Sequence, residues 1–293
     1  MLKDDVIVTG NRAIARSYAK INLTLDVVGK RENGYHDVEM IMQTVSLFDL
    51  IIIDKTSDYI SISTNLKYLP CNEKNIAYKA AKLFFEHTNI HGGAKIIIHK
   101  NIPVAAGLAG GSGNAAAVLV ALNLLYNAGL SDEDLCVLGA KLGADVPYCI
   151  MGGTYVASGI GEILTPISPM PKTTILLVKP PISVSTQVIY EQIDNATIIK
   201  HPDTSAMEKA IANGDLKSIS ENLCNVMEIV TENEYPEIAG IKKKMLLNGA
   251  LGSLMSGSGP TVFGIFDDYK KAKLSADSFA YQYRDVYLVR TYN

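Results

Sequence analysis

Along the first half of the chain the apolar positions fall mostly at strand spacing. Ala19, Ile21, Leu23, Leu25 and Val27 alternate with Lys20, Asn22, Thr24 and Asp26, a period of two that predicts a half-buried strand. A turn cluster, Arg31-Glu32-Asn33-Gly34, follows it. Residues 40–45, 50–54 and 59–63 predict three further strands, and 95–99, rich in β-branched residues, another that ends before Pro103. Between them, 75–87 reads as an amphipathic helix with Ile76, Ala80, Leu83 and Phe84 inward.

After Pro103 a glycine-rich stretch passes into an Ala/Leu/Val helix, with Gly129 expected as its C-terminal cap. Ser131-Asp132-Glu133-Asp134 predicts the start of the next helix, which should stop at Gly143. Gly152-Gly153 opens a strand pair, 154–157 and 163–167. Prolines at 166, 169 and 171 mark a linker, which divides the chain into domains 1–168 and 169–293. Beyond the linker come a buried strand at 173–178 and helices to about Leu247. A hairpin with the turn SGSGPT, a helix over 267–281 and a last strand at 286–289 complete the chain. Strands and helices mix without a regular β-α-β rhythm, which predicts an α+β class rather than a doubly wound sheet or a barrel.

Composition narrows the function classes. Hydrophobic residues make up 48% of the 293, so the chain is globular. Lys+Arg at 27 against Asp+Glu at 30 gives a net charge of −3, which disfavours nucleic acid as a partner. The four cysteines (Cys71, Cys136, Cys149, Cys224) lack zinc-site spacing and read as reduced thiols. The start MLKDDVIVTGNR carries charge where a signal peptide needs an apolar run, and the longest apolar run, 115–122, is short for a bilayer. A cytoplasmic protein without a membrane partner is expected.

The chemistry concentrates in PVAAGLAGGSGNAAA, residues 103–117. Gly107, Gly110, Gly111 and Gly113, with Ser112 and Asn114 among them, lie between a strand and a helix. Glycines there let backbone N–H groups approach a ligand at a helix N-terminus, where the partial positive charge suits a phosphate. The alternative is a tight turn in which Ser112 or Asn114 caps the helix. No lysine follows as a Walker motif requires, no hydrolase elbow occurs, and there are no protein-kinase strings. Lys20 and Asn22, on the polar side of their strand, would by themselves read as a solvated face. Asp145, in GADVP, would read as a helix N-cap.

The loop resembles the phosphate-binding motif of the GHMP kinases (galactokinase, homoserine kinase, mevalonate kinase, phosphomevalonate kinase). It departs at Ala109, where glycine is commoner, and at Gly113, where serine is commoner. AKINLTLDVVGKRENGYHDVEM, GADVPYCIMGGTYVASGIGE and LMSGSGPTVFGIF extend the resemblance over the whole chain, toward the family branch with a cytidyl acceptor.

The resemblance implies a two-domain GHMP kinase fold: an N-terminal domain like ribosomal protein S5 domain 2, a ferredoxin-like C-terminal domain, and an active site in the cleft between them. It implies ATP-dependent phosphorylation of the 2-hydroxyl of 4-(cytidine 5′-diphospho)-2-C-methyl-D-erythritol. It puts Lys20 beside the acceptor hydroxyl and Asp145 as base or positioner. Lys74, Asn75, Pro103, Ala106, Gly107, Leu108, Ala109 and the segment 110–114 are implied for ATP. Asn22, Tyr35, His36, Thr186 and Tyr190 are implied for the acceptor, with Tyr35 and Tyr190 stacking on cytosine and His36 reading its edge. Lys100 and Asn101 would flank nucleotide or phosphate. Mg²⁺ is expected with the nucleotide, with no dedicated carboxylate cluster and Ser112 as one side chain able to ligate it. The quaternary state is expected to be a monomer or homodimer. Two alternatives stay open: a GHMP kinase with a ring-free acceptor such as homoserine or mevalonate, and a catalytically silent sensor of the same fold.

Overall fold

The structure, a computed structural model, describes residues 2–293. The chain folds into two compact units, each discontinuous in sequence. The first comprises the chain up to residue 19, 47–104 and 109–152; the second comprises 20–46, 105–108 and 153–293.

The first unit opens with a 3₁₀ turn, Leu2–Asp5, and strand β1 (Val6–Thr9). It also holds the first part of β2 (Arg12–Lys30) and the last part of β3 (His36–Thr56), followed by β4 (Ile60–Thr64), α1 (Ile76–Thr88) and β5 (Gly93–His99). The helices α2 (Gly110–Tyr126), α3 (Asp132–Ala140) and α4 (Asp145–Met151) complete it. β1 pairs antiparallel with β2, β3 antiparallel with β5, and β4 parallel with β5. α2 is buried almost all round, because α1, α3 and α4 all pack on it. Its run of Ala, Val and Leu is therefore a core helix and needs no polar face.

The second unit holds the rest of β2 and β3, with β6 (Thr154–Ser158) on β3 and β7 (Ile163–Pro166) on β6. After β8 (Thr174–Lys179) come α5 (Thr186–Ile193), α6 (Thr204–Ala212), α7 (Leu216–Glu221), the two-residue β9 (Cys224–Asn225), α8 (Glu228–Glu234) and α9 (Pro236–Leu247). The chain ends with β10 (Gly252–Met255), β11 (Val262–Phe266), α10 (Tyr269–Ala280) and β12 (Asp285–Arg290). β9 adds in parallel to β2 at Thr24 and Leu25. The other four strands form an antiparallel sheet in the order β10-β11-β8-β12, and α9 and α10 pack on it. Numbered within that sheet the order is 2-3-1-4, with helices after its first and third strands. That is the ferredoxin-like arrangement expected for the C-terminal part.

Most predicted elements form within a residue or two, and the α+β class holds. Several local expectations do not. The predicted strands at 40–45 and 50–54 are one 21-residue strand, β3, because Ser46-Leu47-Phe48-Asp49 continues the extended backbone instead of turning. α2 ends at Asn127, which adopts the left-handed conformation and donates its N–H to Asn123 and Leu124; Gly129 lies beyond this cap. α3 stops at Ala140 rather than Gly143. Its predicted start is realised as a capping box between Ser131 and Asp134.

Candidate active site

Lys20 and Asn22 are not on a solvated face. Lys20 is 5% exposed, and Asn22 and Thr24 are fully buried. The Lys20 ammonium donates to Asn22 Oδ1 at 2.7 Å, and Asn22 Nδ2 reaches Met40 Sδ at 3.1 Å. The Lys20 backbone N–H donates to Leu108 O at 3.2 Å. The end of the PVAAGL segment is thereby tied to the strand that carries the lysine. A buried ammonium needs partners, and Asn22 supplies one without cancelling its charge.

Gly107 is the tightest point of this segment. Its φ is +73°, and a Cβ built on it would lie 2.1 Å from Ser256 O. Ser256 Oγ in turn donates to Gly107 O at 3.0 Å, and Thr261 N–H donates to Ala106 O at 3.4 Å. The SGSGPT turn therefore packs directly on Ala106 and Gly107.

Two of the residues implied for the acceptor, His36 and Tyr190, form a ring cluster in the second unit. His36 and Tyr190 stack with centroids 4.8 Å apart and planes at 17°. His36 Nε2 lies 2.6 Å from Asp194 Oδ1, and Asp194 Oδ2 accepts from Lys30 at 2.5 Å. These two hydrogen bonds, Lys30 first, hold the Asp194 carboxyl below the usual range. Tyr35, whose carbonyl accepts Arg31 N–H at 2.7 Å and closes the turn just before β3, is 60% exposed. Thr186 Oγ1 lies 2.8 Å from Ser258 Oγ. The cluster thus gathers His36, Tyr190 and Asp194, and leaves the Tyr35 ring facing solvent.

In the first unit the glycine loop opens α2. The residue before the helix, Ala109, has φ of +55° and offers no side-chain cap. Ser112 and Asn114 do not cap the helix, so the tight-turn alternative loses its support. An uncapped first turn leaves backbone N–H groups for an anion. Gly111 is exposed there, and a Cβ on it would meet only Ile76 at 3.8 Å. Gly110 faces inward, where a Cβ would lie 2.9 Å from the Ile102 side chain. Pro103 is half-buried at the start of the segment.

Asn114 is spent on the interior. Its Nδ2 donates to Ser17 Oγ at 3.1 Å and Asp49 Oδ2 at 2.8 Å, and its Oδ1 accepts from Lys100 at 3.2 Å. Lys100 also pairs with Asp49, which is fully buried. Asp49 Oδ1 accepts the N–H groups of Asn101 and Ile102 at 2.7 and 2.8 Å. Lys100 and Asn101, expected to flank the nucleotide, therefore anchor the loop from beneath. Lys74 is exposed, and Asn75 is the N-cap of α1, accepting from Ala77 N–H at 3.0 Å. Asp145 is the first residue of α4; the N-cap position belongs to Ala144, with no side-chain cap. The N-cap expectation for Asp145 fails on that geometry.

Sequence reasoning did not single out Asp49, Ser17, Asp194 or Asn225. Asp49 had a signal, a carboxylate inside the apolar run LFDLIII. Asn225 likewise sits in an apolar run, LCNVM, whereas Ser17 and Asp194 have mixed neighbours and carried no signal.

A family model described as the GHMP kinases N terminal domain matches residues 75–153, and one described as GHMP kinases C terminal matches 207–285. The chain belongs to the GHMP kinases. Within that family it is 51% identical to a protein named 4-diphosphocytidyl-2-C-methyl-D-erythritol kinase from Clostridium novyi (strain NT), over 94% of this chain and 99% of the relative. A crystal structure of 4-(cytidine 5′-diphospho)-2C-methyl-D-erythritol kinase superposes with a TM-score of 0.82 at 30% identity, covering 96% of this chain and 99% of that one. Homoserine kinase from Cytophaga hutchinsonii shares the fold, with a TM-score of 0.71 at 18% identity over 96% of this chain and 95% of that one. No described helix is long and apolar enough to cross a membrane.

Proposed function

We propose that this chain transfers the γ-phosphoryl group of ATP to the 2-hydroxyl of 4-(cytidine 5′-diphospho)-2-C-methyl-D-erythritol. The His36–Tyr190 stack, fixed by Asp194, carries this reading. A cytidyl acceptor offers a ring to such a cluster, whereas homoserine and mevalonate have none. Both relatives bearing the cytidyl name support it.

Phosphoryl transfer asks mainly for positioning and charge neutralisation. The acceptor 2-oxygen forms a bond to the γ-phosphorus, the bond from that phosphorus to the β–γ bridging oxygen breaks, and ADP leaves. Lys20, held by Asn22, stabilises charge on the attacking and transferred oxygens. Asp145 takes or orients the hydroxyl proton. The first turn of α2 cradles the donor's phosphates. The Ser112 hydroxyl, a hard oxygen donor on that first turn, is the side chain that would help hold a Mg²⁺ ion bound with the nucleotide, which would supply charge neutralisation there.

We take the boundary of the two family domains to lie near 168/169, outside both family-model matches. We take the enzyme to be cytoplasmic, a monomer or homodimer, with small-molecule partners. Lys20→Ala and Asp145→Asn separate an enzyme from a silent sensor. Each should lower turnover by about 100-fold or more while ADP binding, followed by calorimetry, persists. Unchanged turnover in both variants would overturn the roles given to Lys20 and Asp145.

A further inference from the structure

The polar atoms around β2, residues 106–108 and the SGSGPT turn form a closed circuit of hydrogen bonds. Lys20 N–H donates to Leu108 O, and the neighbouring Gly107 O accepts from Ser256 Oγ. On the far side of the turn, Asn225 Nδ2 donates to both Met255 O (2.9 Å) and Gly257 O (2.8 Å). Asn225 itself sits in β9, paired with β2 at Leu25, and Val226 N–H donates to Leu25 O at 3.0 Å. Its Oδ1 accepts Met227 N–H at 3.0 Å, so both side-chain heteroatoms are used and the residue is 4% exposed. Glu228, three residues on, accepts Met255 N–H at 2.7 Å and is held by Lys242.

We infer that Asn225 is a positioning residue for phosphoryl transfer: it fixes the SGSGPT turn against the strand that carries Lys20, and through Ser256 it sets the carbonyl of Gly107 at the entrance to the phosphate loop. The inference rests on the reading of Lys20 and the loop given above. The chemistry of the side chain is specific. Two carbonyl oxygens converge on one amide NH₂, and only a donor fits there. An aspartate at 225 would set a carboxylate against two carbonyls. An alanine would leave both carbonyls unpaired in a buried site.

The test is steady-state kinetics of Asn225→Ala and Ser256→Ala with MgATP and the cytidyl erythritol acceptor, with melting curves and ADP titration for each variant. Each variant should raise KM for ATP and Kd for ADP by about tenfold, the scale of one buried hydrogen bond. KM for the acceptor should stay within about threefold, and the double variant should show less than the product of the two effects. A purely structural role would lower the melting temperature and leave the ratio of the two KM values unchanged; that result overturns the inference. If Asn225→Ala does not fold, Ser256→Ala decides alone, because it removes only the hydroxyl that reaches Gly107. Wild-type protein that binds ADP but does not turn over the cytidyl acceptor would count against the proposed function, while the ADP titrations would still test Asn225.

Discussion

At Gly113 the backbone leaves no room for a side chain. A Cβ there would lie 2.7 Å from Ser17 Oγ and 3.2 Å from Tyr18 O. The departure from the commoner serine is thus matched by Ser17, whose hydroxyl occupies that space and accepts from Asn114. Gly113→Ser should destabilise the protein by about 1–3 kcal/mol through overpacking. Ser17→Ala in the same chain should recover part of the loss, read from urea unfolding midpoints. Ala109 makes the opposite departure, an alanine held at φ of +55°, where glycine is the unstrained choice. Asp194 has a functional counterpart at this scale. Truncating it removes the acceptor that orients His36 Nε2, so Asp194→Ala should raise KM for the cytidyl acceptor about tenfold and leave KM for ATP unchanged in the same assay. Neither the Ser17–Gly113 match nor the Asp194–His36 pair is legible in the sequence. Both join residues far apart in the chain, and each partner alone has an ordinary surface reading.

At the scale of elements, legibility followed periodicity. The alternation from Ala19 to Val27 located β2 and its buried stripe, and Ser131 with Asp134 located the start of α3. Alternation did not reveal that the polar side of β2 is buried too. There Lys20, Asn22 and Thr24 face other polar groups: Asn22 Oδ1 accepts from Lys20, and the Thr24 hydroxyl accepts Ile41 N–H at 2.9 Å. β9 escaped notice because two residues have no period. The continuity of β3 through Asp49 depends on a partner that only the fold supplies. Asp49 gathers Lys100, Asn114 and the N–H groups of Asn101 and Ile102, joining β3, the segment after β5 and α2. Asp49→Asn would leave the Lys100 ammonium buried without its counter-charge. That should cost about 3–5 kcal/mol, measured by chemical denaturation, and Lys100→Met added to it should restore much of the loss.

Over the whole molecule, folding shifts aspartates and their basic partners alike toward their charged forms, as at Asp54 with Arg12 and Asp37 with Arg31. Asp37, Asp54, Asp134, Asp194, Asp215 and Asp268 are all held below the usual carboxylate range, by arginine or lysine partners or by helix-capping hydrogen bonds. Folding therefore favours their ionised forms. That stabilisation is complete above the unfolded value of about 3.9 and is lost as pH falls through the lower folded values. Glu228, pushed up by burial, acts in the opposite direction as a single group. The urea midpoint should be nearly flat from neutral pH down to about 5 and fall steeply below about 4; a midpoint that rises on acidification would contradict the assignment.

The glycine-rich loop was readable from local glycine spacing, whereas the ferredoxin-like half was legible only through the family resemblance, strand rhythm giving no more than the α+β class. The acceptor cluster needed the tertiary fold to bring His36 and Tyr190 into one stack. The most direct test of the whole account is an ADP-release assay with MgATP, run in parallel on the cytidyl erythritol acceptor, homoserine and mevalonate. Turnover on the cytidyl acceptor alone is the predicted result. Turnover on a ring-free acceptor, or none on any of the three, would contradict it.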